Sequence, residues 1–323
     1  MHRGTMRAAW LALLLCFSLE APAQAWPAKS LRMIVPFPPG GGVDFAARVI
    51  SRPLSERLGQ PVVVDNRAGA NGIIALEALK NAPADGYTLA VASNGPLVIN
   101  PSMYLKLPYD TARDFTPIGR VVHFPLLLVA HTSVPAKSTA ELIALAKEKP
   151  GTLTYSTPGI GNGGHLAAEL FASMANVSLV HVPYRGTAPA TTAIIAGEVS
   201  ITFSSIPSVL QHVRSGRLRA LAVGDSARVP SLPDYPTIAE SGLPGYEAFS
   251  WAGLIGPAGM PREIVARLSR ELGQILRQKE IVEQLAADGT LAMPDTPEEF
   301  SAYIKSELVK QAAIVKLANI KPE

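Results

Sequence analysis

The sequence predicts an α/β protein of two lobes. Three observations predict it. Residues 33–50 read MIVPFPPGGGVDFAARVI, a short apolar strand, a proline- and glycine-rich break and the start of a helix. The same order of strand, glycine loop and helix returns at 153–175. Two long extended runs, 118–130 and 249–256, stand where a chain would cross from one lobe to the other and back.

The first lobe follows from its punctuation. Met33 to Val35 is a partly β-branched run that suits a buried strand, and Pro38 to Gly42 breaks it. Phe45 and Val49 begin a helical face. Pro61 to Val64 is a second strand, and residues 66–72, NRAGANG, are its loop. Ile73 to Asn81 is a helix and Tyr87 to Ala92 a third strand, closed by the polar loop Ser93 to Pro96. Strands alternating with helices mean a parallel sheet covered on both faces. Ligands of such sheets sit beyond the carboxyl ends of the strands, so these loops are expected together. A glycine loop entering a helix also offers free N–H groups at the positive end of the helix dipole, which suits an anion.

Residues 100–116 are rich in loop formers. The run Ile118 to Ala130 is strand-like but is interrupted by His123, Phe124 and Pro125. After a helix at 140–147, the second lobe places strands at 153–156, 177–182, 199–203 and 218–223. Helices are expected at 165–175, 188–196 and 209–213, with Ser204 and Ser205 opening a loop. Beyond the return run at 249–256 the reading is helical without strands, at 262–278, 280–287 and 297–318. The expected layout is residues 26–122 with 250–323 as a discontinuous lobe and 123–249 as an inserted one.

Composition and address exclude several classes. Of 323 residues, 48% are hydrophobic and 17% charged, which favours a sizeable core over disorder. A net charge of +3 without a basic run argues against nucleic acid. Residues 1–25 read as a signal peptide, with Arg3 and Arg7 before the apolar run 10–19 and Ala23-Gln24-Ala25 before a cleavage point. Cleavage after Ala25 sends the chain to the periplasm. A lipidated Cys16 is the rival, but Leu15 is bulky where a small residue normally precedes such a cysteine. Cys16 is the single cysteine, so the mature chain has no disulfide and no thiol nucleophile. Six histidines without H-E-x-x-H or close pairing give no metal site, and no cofactor is expected.

Nine segments in order resemble the Bug-type, or TctC-like, extracytoplasmic solute receptors of tripartite tricarboxylate transporters. They are PFPPGGGVDFAAR at 36–48, VVVDNRAGANG at 62–72, PADGYTLAVAS at 83–93, and NP with LPYD within 100–110. YSTPGIGNGGHLAAELF at 155–171, VHVPYRGTAPA at 180–190 and GRLRALAV at 216–223 continue the match. LPDYPTIAESGLPGYE at 232–247 and WAGLIGPAGMP at 251–261 complete it. The resemblance implies a type II periplasmic binding protein, a Venus flytrap with two crossing strands as its hinge. It further implies a monomer that closes on a small carboxylate, held mainly by backbone N–H groups, and delivers it to membrane permease subunits. Ala193, Ser200 and Ser204 depart from the family pattern, where aspartate is common, and Ser204 leaves the far group of the ligand open.

Candidate contacts follow from the loops and the resemblance together. The first loop supplies Phe37, Gly41, Gly42, Val43 and Asp44. Asp44 either caps its helix or meets an amino group. The second-lobe loop supplies Thr157, Gly161, Asn162, Gly163 and His165. Arg185 either pairs with a carboxylate or sits on the surface, and Asn94, Ser204 and Ser205 are polar candidates. Two other functions are open. A receptor feeding a membrane sensor kinase would read the same. A Ser–His hydrolase would use Ser156, Ser204 or Ser205 with His165, but no G-x-S-x-G elbow is present.

Overall fold

The computed structural model describes residues 26–287 and 289–317. The expected signal peptide, the cleavage point expected after Ala25 and Cys16 lie outside the described residues. Among these residues no helix is long and apolar enough to cross a membrane.

The first half opens with β1 (Leu31–Val35), α1 (Gly42–Leu58), β2 (Val62–Asn66), α2 (Ile73–Lys80) and β3 (Thr88–Ser93). β1 lies between β2 and β3, parallel to both. Side chains of a strand alternate between faces, so a sheet covered on both sides has apolar residues at successive positions. Leu31, Met33 and Val35 pack in one core cluster and Ile34 in another. That is why this strand reads as a continuous apolar run.

β4 (Phe115–His131) is a single strand of 17 residues. The expected interruption at 123–125 does not occur. Phe115 to Pro125 pairs antiparallel with β9 (Phe249–Pro257), and Leu126 to Ala130 pairs antiparallel with β7 (Ile201–Ser205). Pro125 falls at the handover between the two ladders, where its missing N–H does least damage. β4 also pairs with β8 (Leu218–Val223) and with β10 (Leu291–Ala292), a short strand inside the segment expected to be helical throughout. The parallel sheet of the sequence reading is therefore mixed.

In the second half, β5 (Thr154–Thr157) lies between β6 (Val180–Pro183) and β7, parallel to both. Helices α3 (Thr139–Glu148), α4 (Gly163–Ala175), α5 (Thr187–Ile195) and α6 (Ile206–Arg214) complete it. Among the described residues ten strands form one sheet, eight of them along the path β2-β1-β3-β9-β4-β7-β5-β6, with β8 and β10 attached to β4. Along β4, Leu126, Leu128 and Ala130 enter one core cluster while Leu127 and Val129 enter another, so this half is also covered on both faces.

Two loop expectations change. Ser204 and Ser205 are the last residues of β7. Gly95 is the start of a buried helical run, Gly95–Ile99 followed by Asn100–Met103, and Asn94 holds its entry by accepting from Gly95 N–H at 3.1 Å. The chain ends with α7 (Arg262–Ile275), α8 (Lys279–Ala287) and α9 (Pro297–Leu317). On α9, Phe300, Ile304, Glu307, Gln311 and Val315 are buried at helical spacing. Trp251 Nε1 and Gln311 Nε2 both donate to Glu307, and Lys310 meets Glu247 at 2.8 Å.

Candidate ligand-binding cleft

A cavity opens where the two halves meet, enclosing about 610 Å³ of atom-free space, its mouth included. From the first half it is lined by Phe37, Gly41, Gly42 and Val43, and by Ser93 and Ser250 at the ends of β3 and β9. β4 contributes Phe124 and Leu126. The second half contributes Pro158, Asn162, Gly163, Gly164 and Thr187, with Phe203, Ser204 and Ser205 at the end of β7. The strand ends collect these residues, as expected for α/β sheets.

Four helices begin on this cavity. Gly42 opens α1, Gly163 opens α4, Thr187 opens α5, and Ser205 precedes α6. The starts of α1, α5 and α6 carry no side-chain cap, so their first N–H groups, absent only at Pro189 and Pro207, are left for a ligand or water. At α4, Asn162 Oδ1 accepts from Gly164 N–H at 2.8 Å and His165 N–H at 3.1 Å. Each helix start brings partial positive charge, and none of the cavity-lining side chains carries a formal charge. The halves approach closely over the mouth. A Cβ added to Gly41 would stand 3.3 Å from Thr187 Oγ1, and one on Gly186 would stand 3.1 Å from Pro38 Cγ.

Of the residues expected at the site, Phe37, Gly41, Gly42, Val43, Asn162, Gly163, Ser204 and Ser205 are brought together here. Six others are outside the lining. Asp44 is buried behind the first loop and accepts from Gly40 N–H at 3.0 Å, Arg48 Nε at 3.0 Å and Asn66 Nδ2 at 2.9 Å. Burial pushes its carboxyl upward, but these hydrogen bonds outweigh burial and hold it below the ordinary carboxylate range. Asn94 lies one layer back, accepting from Ser250 Oγ at 2.8 Å. Arg185 is exposed.

Thr157, Gly161 and His165 belong to a buried group beneath the second-lobe loop. Gly161, at φ +74°, donates its N–H to His165 Nδ1 at 3.2 Å, so the neutral ring carries its proton on Nε2. His165 stacks on His181 at 4.2 Å, and His181 stacks on Tyr155 at 4.8 Å. Thr157 Oγ1 donates to Gly159 O at 2.9 Å and lies 2.6 Å from His181 Nε2. Burial, then the neighbouring His181, lowers His165 to about 3, and burial lowers His181 to about 4. These groups hold the loop from behind.

Sequence reasoning did not single out Ser93, Phe124, Leu126, Pro158, Gly164, Thr187, Phe203 or Ser250 as contacts. Pro158, Gly164 and Thr187 stand in the loops it quoted, a signal that was available. Leu126 and Phe203 read as strand and Phe124 as part of an interruption, and all three are at most 3% exposed. No group of His, Cys, Asp and Glu able to hold a metal occurs among the described residues. The hydrolase pairing is also missing from the geometry. His165 Nδ1 is taken by Gly161 N–H, and Ser156 Oγ is buried without a partner.

Two α/β halves joined at long strands, with a cavity between them at helix starts, define a two-lobed solute-binding protein. The chain belongs to the tripartite tricarboxylate transporter family receptors (TctC), whose family model matches residues 46–320. It is 38% identical over 301 residues to Protein BugT of Bordetella pertussis, covering 92% of each chain. It is similar to the solved structure "R. palustris Rpa4515 with adipate", with a TM-score of 0.90, 36% identity, and 92% of this chain and 100% of that one covered. It is also similar to MatC (Rpa3494) from Rhodopseudomonas palustris with bound malate. There the TM-score is 0.84 and the identity 30%, over 90% of this chain and 100% of that one. The family is one of periplasmic solute receptors, not enzymes.

Proposed function

We propose that this receptor captures a small carboxylate in the cavity and hands it to permease subunits of a tripartite tricarboxylate-type transporter. The observation that carries the reading is the convergence of four helix starts on a cavity without charged side chains. Free N–H groups at such ends are donors placed for an anion. Relatives solved with adipate and with malate support a carboxylate as the ligand class. Gly41 to Val43, Gly163, Thr187 and Ser205 are the contacts we propose for it. Phe37, Asn162 and Ser204 complete them, while Asp44, Asn94, Thr157, Gly161 and His165 act by holding the loops.

The lobes in this reading are residues 26–122 with 250–323, and 123–249. β4 and β9 are the hinge, and the protein works as a periplasmic monomer with the signal peptide removed after Ala25. Calorimetry with adipate and malate and with their diamides tests the reading. A neutral diamide keeps one accepting oxygen at each end but replaces the other by an NH2 donor, so each N–H that faced the lost oxygen is left unpaired at roughly 1–3 kcal/mol. At least one acid is expected to bind more than about a hundredfold tighter than its diamide. Equal binding of acids and diamides would refute it.

A further inference from the structure

We infer that the ligand is a carboxylate with an apolar body and no ammonium group, and that the strand residues Phe124, Leu126 and Phe203 select that body. This rests on the carboxylate reading above and narrows it. Phe124 and Leu126 are two apart on β4, so their side chains leave the same face. Phe203 joins them from β7, which pairs with β4 in this stretch. The three are 2%, 3% and 1% exposed, yet all line the cavity, so they form its apolar floor. Water reaches little of that floor, so a ligand hydroxyl pressed against it gives up its hydration and finds no hydrogen-bond partner there. A hydroxylated body therefore gains less than an apolar one. Of the five lining hydroxyls two are already engaged, Ser250 donating to Asn94 at 2.8 Å and Ser205 paired with Ser208 at 2.9 Å, which leaves Ser93, Thr187 and Ser204 against the four hydroxyls of a galactarate-like body.

Charge supplies the second half of the inference. An ammonium entering the cavity would lose its water, face four positive helix starts and meet no acidic side chain. Asp44, one residue past the lining Val43, has its oxygens taken by Gly40, Arg48 and Asn66. Glu247 lines the neighbouring cavity beyond Gly163 and is paired with Lys310 at 2.8 Å. Neither acid is left to receive a ligand cation. A zwitterion of the same carbon skeleton is therefore rejected on charge, and a polyhydroxylated one on the floor.

Calorimetry on the mature protein with matched acids tests both halves. Adipate, 2-aminoadipate and galactarate share a six-carbon skeleton and two carboxylates, and phenylacetate and phenylglycine form an aromatic pair. We expect adipate or phenylacetate to bind, and each that binds to exceed its amino analogue at least a hundredfold. Adipate should exceed galactarate at least tenfold. An amino acid bound as tightly as its parent overturns the charge argument, and galactarate bound as tightly as adipate overturns the floor. Either result leaves the carboxylate reading standing. Failure of every acid to bind at millimolar concentration overturns that reading and this inference together. Leu126→Ser should lower the adipate-to-galactarate ratio at least tenfold. Ser204→Asp, at a half-buried position on the cavity wall, should lower the adipate-to-2-aminoadipate ratio by a similar factor and does not depend on core packing. Unchanged ratios in the folded variants reject the assignment.

Discussion

At the scale of single residues, three positions separate packing from binding. A Cβ on Gly164 would lie 2.4 Å from the Phe203 carbonyl oxygen, in backbone that cannot yield cheaply. Gly164→Ala should push α4 off β7 and destabilise the protein by about 1–3 kcal/mol, read from a lower urea midpoint. Gly41 contrasts with it. Its φ of −88° suits any residue, and an added Cβ meets only the Thr187 side chain at 3.3 Å. Gly41→Val should leave the urea midpoint almost unchanged, within about 0.5 kcal/mol, while weakening carboxylate binding at least tenfold in calorimetry. Arg185 is exposed and outside the cavity lining. Arg185→Ala should shift affinity by less than about 1 kcal/mol, and a larger loss would bring this arginine into the closed site.

At the scale of elements, the stacked rings under the second-lobe loop make stability depend on pH. His165 falls from an ordinary 6.5 to about 3 and His181 to about 4, both chiefly through burial. The unfolded chain then binds more protons than the folded one between about pH 6.5 and 4. The stabilisation is complete above pH 6.5 and is lost as pH falls through that window. Thermal melts from pH 7.5 to 4 should show a falling midpoint. His181→Phe keeps a ring in the stack and removes one titrating site, so its midpoint should fall less steeply. An equal slope in that variant would move the pH dependence elsewhere. Protonating His165 Nδ1 also removes the acceptor of Gly161 N–H, one residue before the Asn162 that caps α4. The folded protein keeps this ring neutral down to about pH 3, so ligand affinity should hold across the window for as long as the fold survives.

At the scale of the whole molecule, β4 is the shared element. Its first part is paired with β9 and its second with β7, and the cavity lies over the handover at Phe124 to Leu126. A ligand touching loops from both halves favours the arrangement that brings them together. Small-angle scattering should show a smaller radius of gyration with a bound carboxylate than without one. An unchanged radius at saturation would argue for a cleft that binds without closing. α9 spans the same junction from behind, with Ile314 packed against core clusters of both halves and Lys310 paired to Glu247.

The sequence by itself determined the elements and the loops that surround the cavity. Apolar runs, glycine loops and helix starts are local patterns, so Met33 to Val35, Gly41 to Val43 and Asn162 to Gly163 were legible from neighbouring residues alone. The antiparallel pairing of β4 was not, because the interruption suggested by Pro125 is cancelled only by a partner strand 124 residues further on, at Phe249. Tertiary structure also decided which polar side chains were free. Asp44, Asn94, Thr157 and His165 stand in the right loops, but their donors and acceptors are used within the protein. Leu126 and Phe203 stand in strand runs and Phe124 in the stretch expected to interrupt one, yet all three are core. Only the register of β4 against β7 turns one edge of that core into the floor of a binding site, and register is a relation between strands that neither strand carries alone.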